Sequence, residues 1–198
     1  METLKSVYWA VRKDVPTMWF WLLSQLPGNT GIALRARLMP SLLGACGPGQ
    51  IIQMNLRVAN PEKLRIGSHC NFGQGVFITA GGGVTLGDYV GMGPDSKIWS
   101  VNHRFENPDI PWLTQGYESK EVVIGDDVWI GANAFIMPGV HIGKGTIISA
   151  GSVLSKSVPA YCIVAGNPGR VIGWRKKPED EAGGGGKTAG TEAGGGAQ

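Results

Sequence analysis

A chain of 198 residues with 32 glycines and 17% charged residues is long enough for one domain with an extended core, and its glycines follow no Gly-X-Y period, which excludes collagen. A net charge of +3 leaves no footprint for nucleic acid. Cys46, Cys70 and Cys162 are three in number and far apart, which makes neither a disulfide framework nor a CxxC metal clip and points to a reducing compartment.

Residues 1–45 show no basic, apolar and small-residue succession of the kind that marks an export signal. Their richest apolar run, from Met18 to Leu23, is about a third of what a membrane span needs. Two helices are expected, one from Leu4 to Gln25 disturbed at Pro16, and one from Ile32 to Met39 after the Pro27-Gly28-Asn29 turn signal. Lys5, Arg12, Lys13, Arg35 and Arg37 make the segment basic, and Trp9, Trp19, Phe20 and Trp21 make it adhesive. It reads either as a cap or subunit contact over the end of the domain, or as an amphipathic helix resting on an anionic membrane.

From Ile124 onward an aliphatic residue returns every six positions, at Ile130, Ile136, Ile142, Ile148 and Leu154. The position after it is usually glycine or another small residue, and a small or β-branched residue sits four positions after it. Neither the helical nor the strand period explains this. A six-residue period is the mark of a parallel β-helix, in which each hexad builds one wall, its leading aliphatic points inward, and the small residues let the chain turn at the corners. The same pattern leads from Ile66, Phe72, Ile78, Leu86, Met92 and Ile98, with Cys70 in an inward small-residue slot. Ahead of it the pattern loosens to Ile52, Val58 and Leu64 as an imperfect first coil.

Spacing also finds the interruptions. Ile66 to Leu86 is one eighteen-residue coil plus two, with Gly81-Gly82-Gly83 as a corner bulge. Leu86 to Ile124 is one coil plus twenty, so a loop of residues 104–121 is expected to leave the solenoid just after His103. Extruded loops of this kind carry binding surfaces. Within this one, Phe105, Asp109, Trp112, Gln115 and Tyr117 combine aromatic faces with polar groups suited to a sugar ring, or else pack the loop against a neighbouring subunit. His69 and His141 fall at outward hexad positions, where a solvated ring is the ordinary outcome. His103 stands at the break, and imidazole is the side chain suited to general-base work at cellular pH. Tyr161 to Trp174 reads as a terminal strand and turn, and residues 178–198 read as a disordered, Gly-rich tail.

Taken together, Asn102-His103 ahead of the loop, Val123-Ile-Gly-Asp-Asp-Val-Trp-Ile-Gly, Pro138-Gly-Val-His-Ile-Gly, Ala150-Gly-Ser-Val-Leu-Ser-Lys and Ile163-Val-Ala-Gly-Asn-Pro-Gly-Arg-Val-Ile resemble the hexapeptide-repeat acyltransferases, in particular the galactoside, maltose and exopolysaccharide O-acetyltransferases. The resemblance runs from about Ile51 to Arg175. It implies an all-β fold, a left-handed parallel β-helix over residues 46–177, assembled as a homotrimer with active sites between subunits. It implies acetyl-CoA as cosubstrate and His103 as the catalytic base for direct transfer, with no metal. Cofactor contacts carry over onto Trp129, Gly131, Ala132, Ala150, Ser155, Lys156 and Arg170. Acceptor contacts carry over onto Asn71 and Asn102, to which the loop adds Asp109, Trp112 and Tyr117. Galactoside specificity is in doubt, because the early coils hold Gly73 and Gly81 where that branch places polar residues.

The expected activity is acetyl transfer to a hydroxyl of a saccharide or glycan precursor. The alternatives are an antibiotic or xenobiotic acetyltransferase and an amino-sugar N-acetyltransferase. A metal-dependent carbonic anhydrase on the same fold would need a histidine cluster, yet the residue five after His103 is Pro108 and no second histidine follows in the loop. A non-catalytic scaffold is the remaining alternative. The cytoplasm is the expected location, with peripheral membrane contact through residues 1–45.

Overall fold

The computed structural model describes residues 18–177. The first part of the expected N-terminal helix and the glycine-rich tail lie outside these residues. Three parallel ladders form the walls of a left-handed β-helix. Wall A is built from Ala45–Cys46, Leu64–Ile66, Val84–Leu86, Val122–Ile124 and His141–Ile142. Wall B runs through Ile51–Ile52, Asn71–Phe72, Gly91–Met92, Trp129–Ile130, Ile147–Ile148 and Cys162–Ala165, and closes with the antiparallel strand Arg170–Trp174. Wall C stacks Arg57–Ala59, Phe77–Thr79, Lys97–Trp99, Phe135–Ile136 and Val153–Leu154.

The twelve leading residues from Ile66 to Leu154 are all between 0 and 5% exposed, and they form one continuous core. Burying each stabilises the fold by roughly 1.5–3 kcal/mol. Cys70 is fully buried among them, as its slot requires, and burial pushes its thiol up to about 11. Gln50 takes the equivalent slot of the first coil. Its amide donates to the carbonyls of Gly47 and Gly67 and accepts from the Cys70 N–H, so a polar group is buried without an unmet bond.

Two expectations about the coils are corrected by the register. Ile52 and Val58 do align with Phe72 and Ile78, but Leu64 aligns with Val84, and the wall position it was assigned belongs to Ile66. The second-position glycines do not make the turns. Left-handed backbone falls two positions later, at Asn55, His69, Tyr89, Asp127 and Asn133, each with φ between 53 and 59°. The second position is small because the next coil presses on it: a Cβ on Gly131 would stand 2.5 Å from the Ala150 nitrogen and 2.8 Å from the Ile148 oxygen.

Helix α1 (18–25) and helix α2 (Gly28–Leu38) lie against the first coil. Helix α2 starts four residues earlier than expected, because Pro27 serves as its extended N-cap and Gly28 takes φ +66°. Phe20, Leu23 and Met39 join the core beside Ile52 and Leu56. Arg35 is fully buried, and its guanidinium donates to the carbonyls of Leu23, Leu26 and Ile52. It thereby places positive charge at the carbonyl end of α1 and ties both helices to wall B.

Candidate active site

The extruded segment is a hairpin whose strands, Val101–His103 and Tyr117–Ser119, pair antiparallel. It leaves the solenoid three residues earlier than expected. Ser100 is the hinge: its hydroxyl donates to the Thr79 carbonyl and accepts from the Gly82 N–H, while its carbonyl accepts from the Lys120 N–H on the returning chain. His103 therefore stands on the hairpin itself, paired with Tyr117.

The His103 ring is held between two aromatic faces, Trp112 at 4.7 Å edge-on and Tyr117 at 4.3 Å tilted. Beside it Thr79, Trp99, Val101, Asn102 and Tyr117 enclose a cleft of about 200 Å³. Three buried polar atoms in this wall have no hydrogen-bond partner: Thr79 Oγ1, Trp99 Nε1 and His103 Nδ1. A buried polar group left unpaired costs about 1–3 kcal/mol, so Thr79, Trp99 and His103 itself hold unused hydrogen-bonding capacity at this cleft.

The structure sorts the other expected residues. Trp112 and Tyr117 sit with His103, and Asn102 lies beside it with its carboxamide oxygen accepting the His103 backbone N–H at 2.9 Å. Asp109 is at the hairpin tip, its backbone N–H bonded to the Asn107 side chain, and does not line the cleft. Gln115 is occupied in holding the tip together, donating to the carbonyls of Asn107 and Ile110 and accepting from the Asn107 N–H.

Asn71 and Trp129 are on wall B, where with Gln53 and Gln74 they border a second groove of about 480 Å³. Gly131, Ala132 and Ala150 stack at the corner between walls B and C. Ser155 and Lys156 follow Leu154 at the opposite end of wall C, the side from which the hairpin projects. Arg170 begins the closing strand, with one guanidinium N–H on the Gly169 carbonyl. Within one protomer, then, the His103 cluster and the Asn71–Trp129 groove occupy different faces, and the chain alone does not bring them together.

Sequence reasoning missed Thr79, Trp99, Gln53 and Gln74. Gln53 stands directly after the leading Ile52, where wall B ordinarily has glycine, while Thr79 and Trp99 follow wall C leads, a slot that is never glycine from Ile78 to Leu154. Only for Gln53 was the residue type in that slot an available signal.

A hexapeptide-repeat transferase is the class that this fold defines. The description "Bacterial transferase hexapeptide (six repeats)" matches residues 121–156, and "Hexapeptide repeat of succinyl-transferase" matches residues 63–92. YJL218W of Saccharomyces cerevisiae, provisionally assigned as an acetyltransferase, is 34% identical over 139 residues, covering 70% of this chain and 69% of that protein. WcaF of Escherichia coli K12, provisionally assigned as a colanic acid biosynthesis acetyltransferase, is 28% identical over 89% of this chain and 88% of its own. Chloramphenicol acetyltransferase of Agrobacterium fabrum is 38% identical over 61% of this chain, which spans 55% of that enzyme. Among solved structures, the Vibrio cholerae hexapeptide-repeat acetyltransferase VCA0836 complexed with acetyl-CoA has a TM-score of 0.74 at 28% identity, covering 82% of this chain and 86% of its own. The chain belongs to the hexapeptide-repeat acyltransferase superfamily.

Proposed function

We propose that this protein transfers an acetyl group from acetyl-CoA to a hydroxyl of a saccharide or glycan precursor, with His103 as general base. The observation that carries the reading is the group of unpartnered polar atoms around His103 at the hairpin base. Because Nδ1 is buried, Nε2 is the nitrogen left to meet a substrate. It takes the proton of the acceptor hydroxyl as that oxygen attacks the thioester carbonyl; the tetrahedral adduct collapses, the carbon–sulfur bond breaks, and the proton passes to the departing thiolate. No enzyme nucleophile is required. Lys156, which has no ion-pair partner among the described residues, and the exposed Arg170 are suited to the phosphates of the cosubstrate. The small residues Gly131, Ala132 and Ala150 leave backbone groups within reach of an extended amide chain.

A homotrimer completes this site. In it the hairpin of one copy meets the wall B groove of the next, joining His103 to Asn71 and Trp129. The likeness to a protein assigned to colanic acid biosynthesis, over most of both chains, supports a saccharide acceptor. The likeness to chloramphenicol acetyltransferases supports the antibiotic alternative over a shorter span. Thiol release from acetyl-CoA, measured against glycosides, amino sugars and chloramphenicol together with sedimentation of the protein, tests the reading. A monomer, or a protein that releases thiol only with amines, would overturn it.

We infer that the protein also makes peripheral contact with a membrane through helix α1. Helix α1 turns Met18, Trp19, Trp21 and Leu22 outward, 47 to 59% exposed, an apolar surface suited to the membrane interface. Among the described residues no helix is long and apolar enough to cross a membrane. Flotation with anionic vesicles, lost on replacing Trp19 and Trp21 by serine, is the expected result; failure of the unaltered protein to float would refute it.

A further inference from the structure

The cleft beside His103 is built partly from polar residues, yet the surface it offers is apolar. Thr79 Oγ1, Trp99 Nε1 and His103 Nδ1 are buried beneath that surface, and the Asn102 carboxamide oxygen is taken by the His103 N–H. What faces the space is almost entirely carbon, from Thr79, Trp99, Val101 and Tyr117. The Trp99 ring is fixed in place by Phe135, which it meets at 5.1 Å in an edge contact. A sugar would lose water from its hydroxyls here and find few partners for them, which is costly. An alkyl chain gains by leaving water for such a surface.

Register places this surface in line with the cosubstrate. The positions directly after the leads of wall C stack as Thr79, Trp99, Met137 and Ser155, one per coil. Neighbouring strands lie about 4.8 Å apart, so Ser155 stands about 10 Å from Trp99, with the half-buried Met137 between them. A cosubstrate held at Ser155 and Lys156 and laid along this column brings its thioester toward His103 and points its acyl group at Trp99. Size then decides what acyl group the cleft suits. Its volume is about 200 Å³, and a methyl or methylene group fills roughly 30 Å³, close to the share of one water in the liquid. The single methyl of an acetyl group uses a small part of that space.

We propose that the protein also uses acyl-CoA donors longer than acetyl, butyryl- and hexanoyl-CoA, and seats their alkyl chains between Trp99, Val101 and Tyr117. This rests on the reading of His103 as general base and widens the donor range of that same site. The bonds made and broken are those of acetyl transfer. The acceptor oxygen bonds to the acyl carbonyl carbon, the carbon–sulfur bond breaks, and the hydroxyl proton passes through His103 to the departing thiolate.

The full-length protein and its Val101→Phe and Val101→Ala variants are assayed for thiol release from acetyl-, butyryl-, hexanoyl- and lauroyl-CoA, with methyl glucoside, methyl galactoside, glucosamine and chloramphenicol as acceptors. Donor affinity is measured separately by calorimetry without acceptor. The expected result is a kcat/KM for butyryl-CoA at least equal to that for acetyl-CoA, binding of butyryl-CoA about tenfold tighter, and no turnover of lauroyl-CoA. Val101→Phe, which fills the cleft, is expected to lower the butyryl-to-acetyl ratio of kcat/KM about tenfold or more, and Val101→Ala to raise the hexanoyl-to-acetyl ratio. Turnover of acetyl-CoA with butyryl-CoA tenfold or more poorer overturns the acyl cleft and leaves acetyl transfer standing. Undiminished turnover of both donors in His103→Ala overturns the base and not the cleft. If no acceptor in the panel supports release, butyryl-CoA binding no tighter than acetyl-CoA overturns the proposal. If Val101→Phe fails to fold, an unchanged hexanoyl-to-acetyl ratio in Val101→Ala does the same.

Discussion

Alanine at Gly91, on wall B, and alanine at Gly131, at the corner that follows wall B one coil later, make the same chemical change and are expected to act in opposite directions. Neither glycine uses left-handed backbone, so in both variants the unfolded chain loses freedom, which by itself favours folding by about 0.4–1 kcal/mol. At Gly91 the new methyl meets only an ordinary contact at 3.5 Å, so that gain is retained. At Gly131 the methyl meets the Ala150 nitrogen at 2.5 Å, its Cα at 2.8 Å and the Ile148 oxygen at 2.8 Å. All three are backbone atoms in a stretch held by the Gly131, Ser149 and Gly151 N–H bonds to the carbonyls of Ile148, Val164 and Ala132, so none can swing aside, and overpacking of this kind costs about 1–3 kcal/mol. The unfolded-state gain is common to both, so the gap between the variants is the overpacking cost of about 1–3 kcal/mol. In urea it amounts to a midpoint difference on the order of 1 M. Protein concentration must be matched, because subunit association contributes to apparent stability. Equal midpoints, or a Gly91→Ala variant less stable than Gly131→Ala, would refute the idea that close approach of coils, and not turn geometry, requires the second-position glycines.

Replacing His103 by alanine is expected to lower kcat/KM by about 10²- to 10⁴-fold while leaving acetyl-CoA affinity unchanged, measured by thiol release and calorimetry; undiminished turnover would dismiss it as the base. Arg35→Met should cost about 2–5 kcal/mol in urea unfolding, because the carbonyls of Leu23, Leu26 and Ile52 lose their shared donor in a buried place; a loss below the error of the measurement would contradict this. Burial raises the Cys70 thiol to about 11, above the ordinary value of 9.0, so the folded protein holds this proton after the unfolded chain has released it. The resulting stability is complete below pH 9 and is lost as pH rises from 9 toward 11, a slope that should be shallower in Cys70→Ala; identical slopes for the two proteins would argue against it.

The inward set was legible from the chain alone because each hexad must bury its own leading side chain, a local demand that repeats every six residues. Ile66 to Leu154 could be named one by one, and the excess of twenty residues before Ile124 announced an excursion. The reason for each glycine was not legible. A six-residue period records phase along the chain and says nothing of which backbone lies 2.5 Å away in the next coil, so what presses on Gly131 is not visible until the coils are stacked. The same holds for the hairpin. Its base is set by Ser100, whose hydroxyl and carbonyl join Thr79, Gly82 and Lys120 from three separate stretches, and this moved His103 off the solenoid and up beside Trp112 and Tyr117. Periodicity fixed what faces inward, since that depends on neighbours in the chain; stacking decided what meets on the outside, since contacts between coils join residues of different turns.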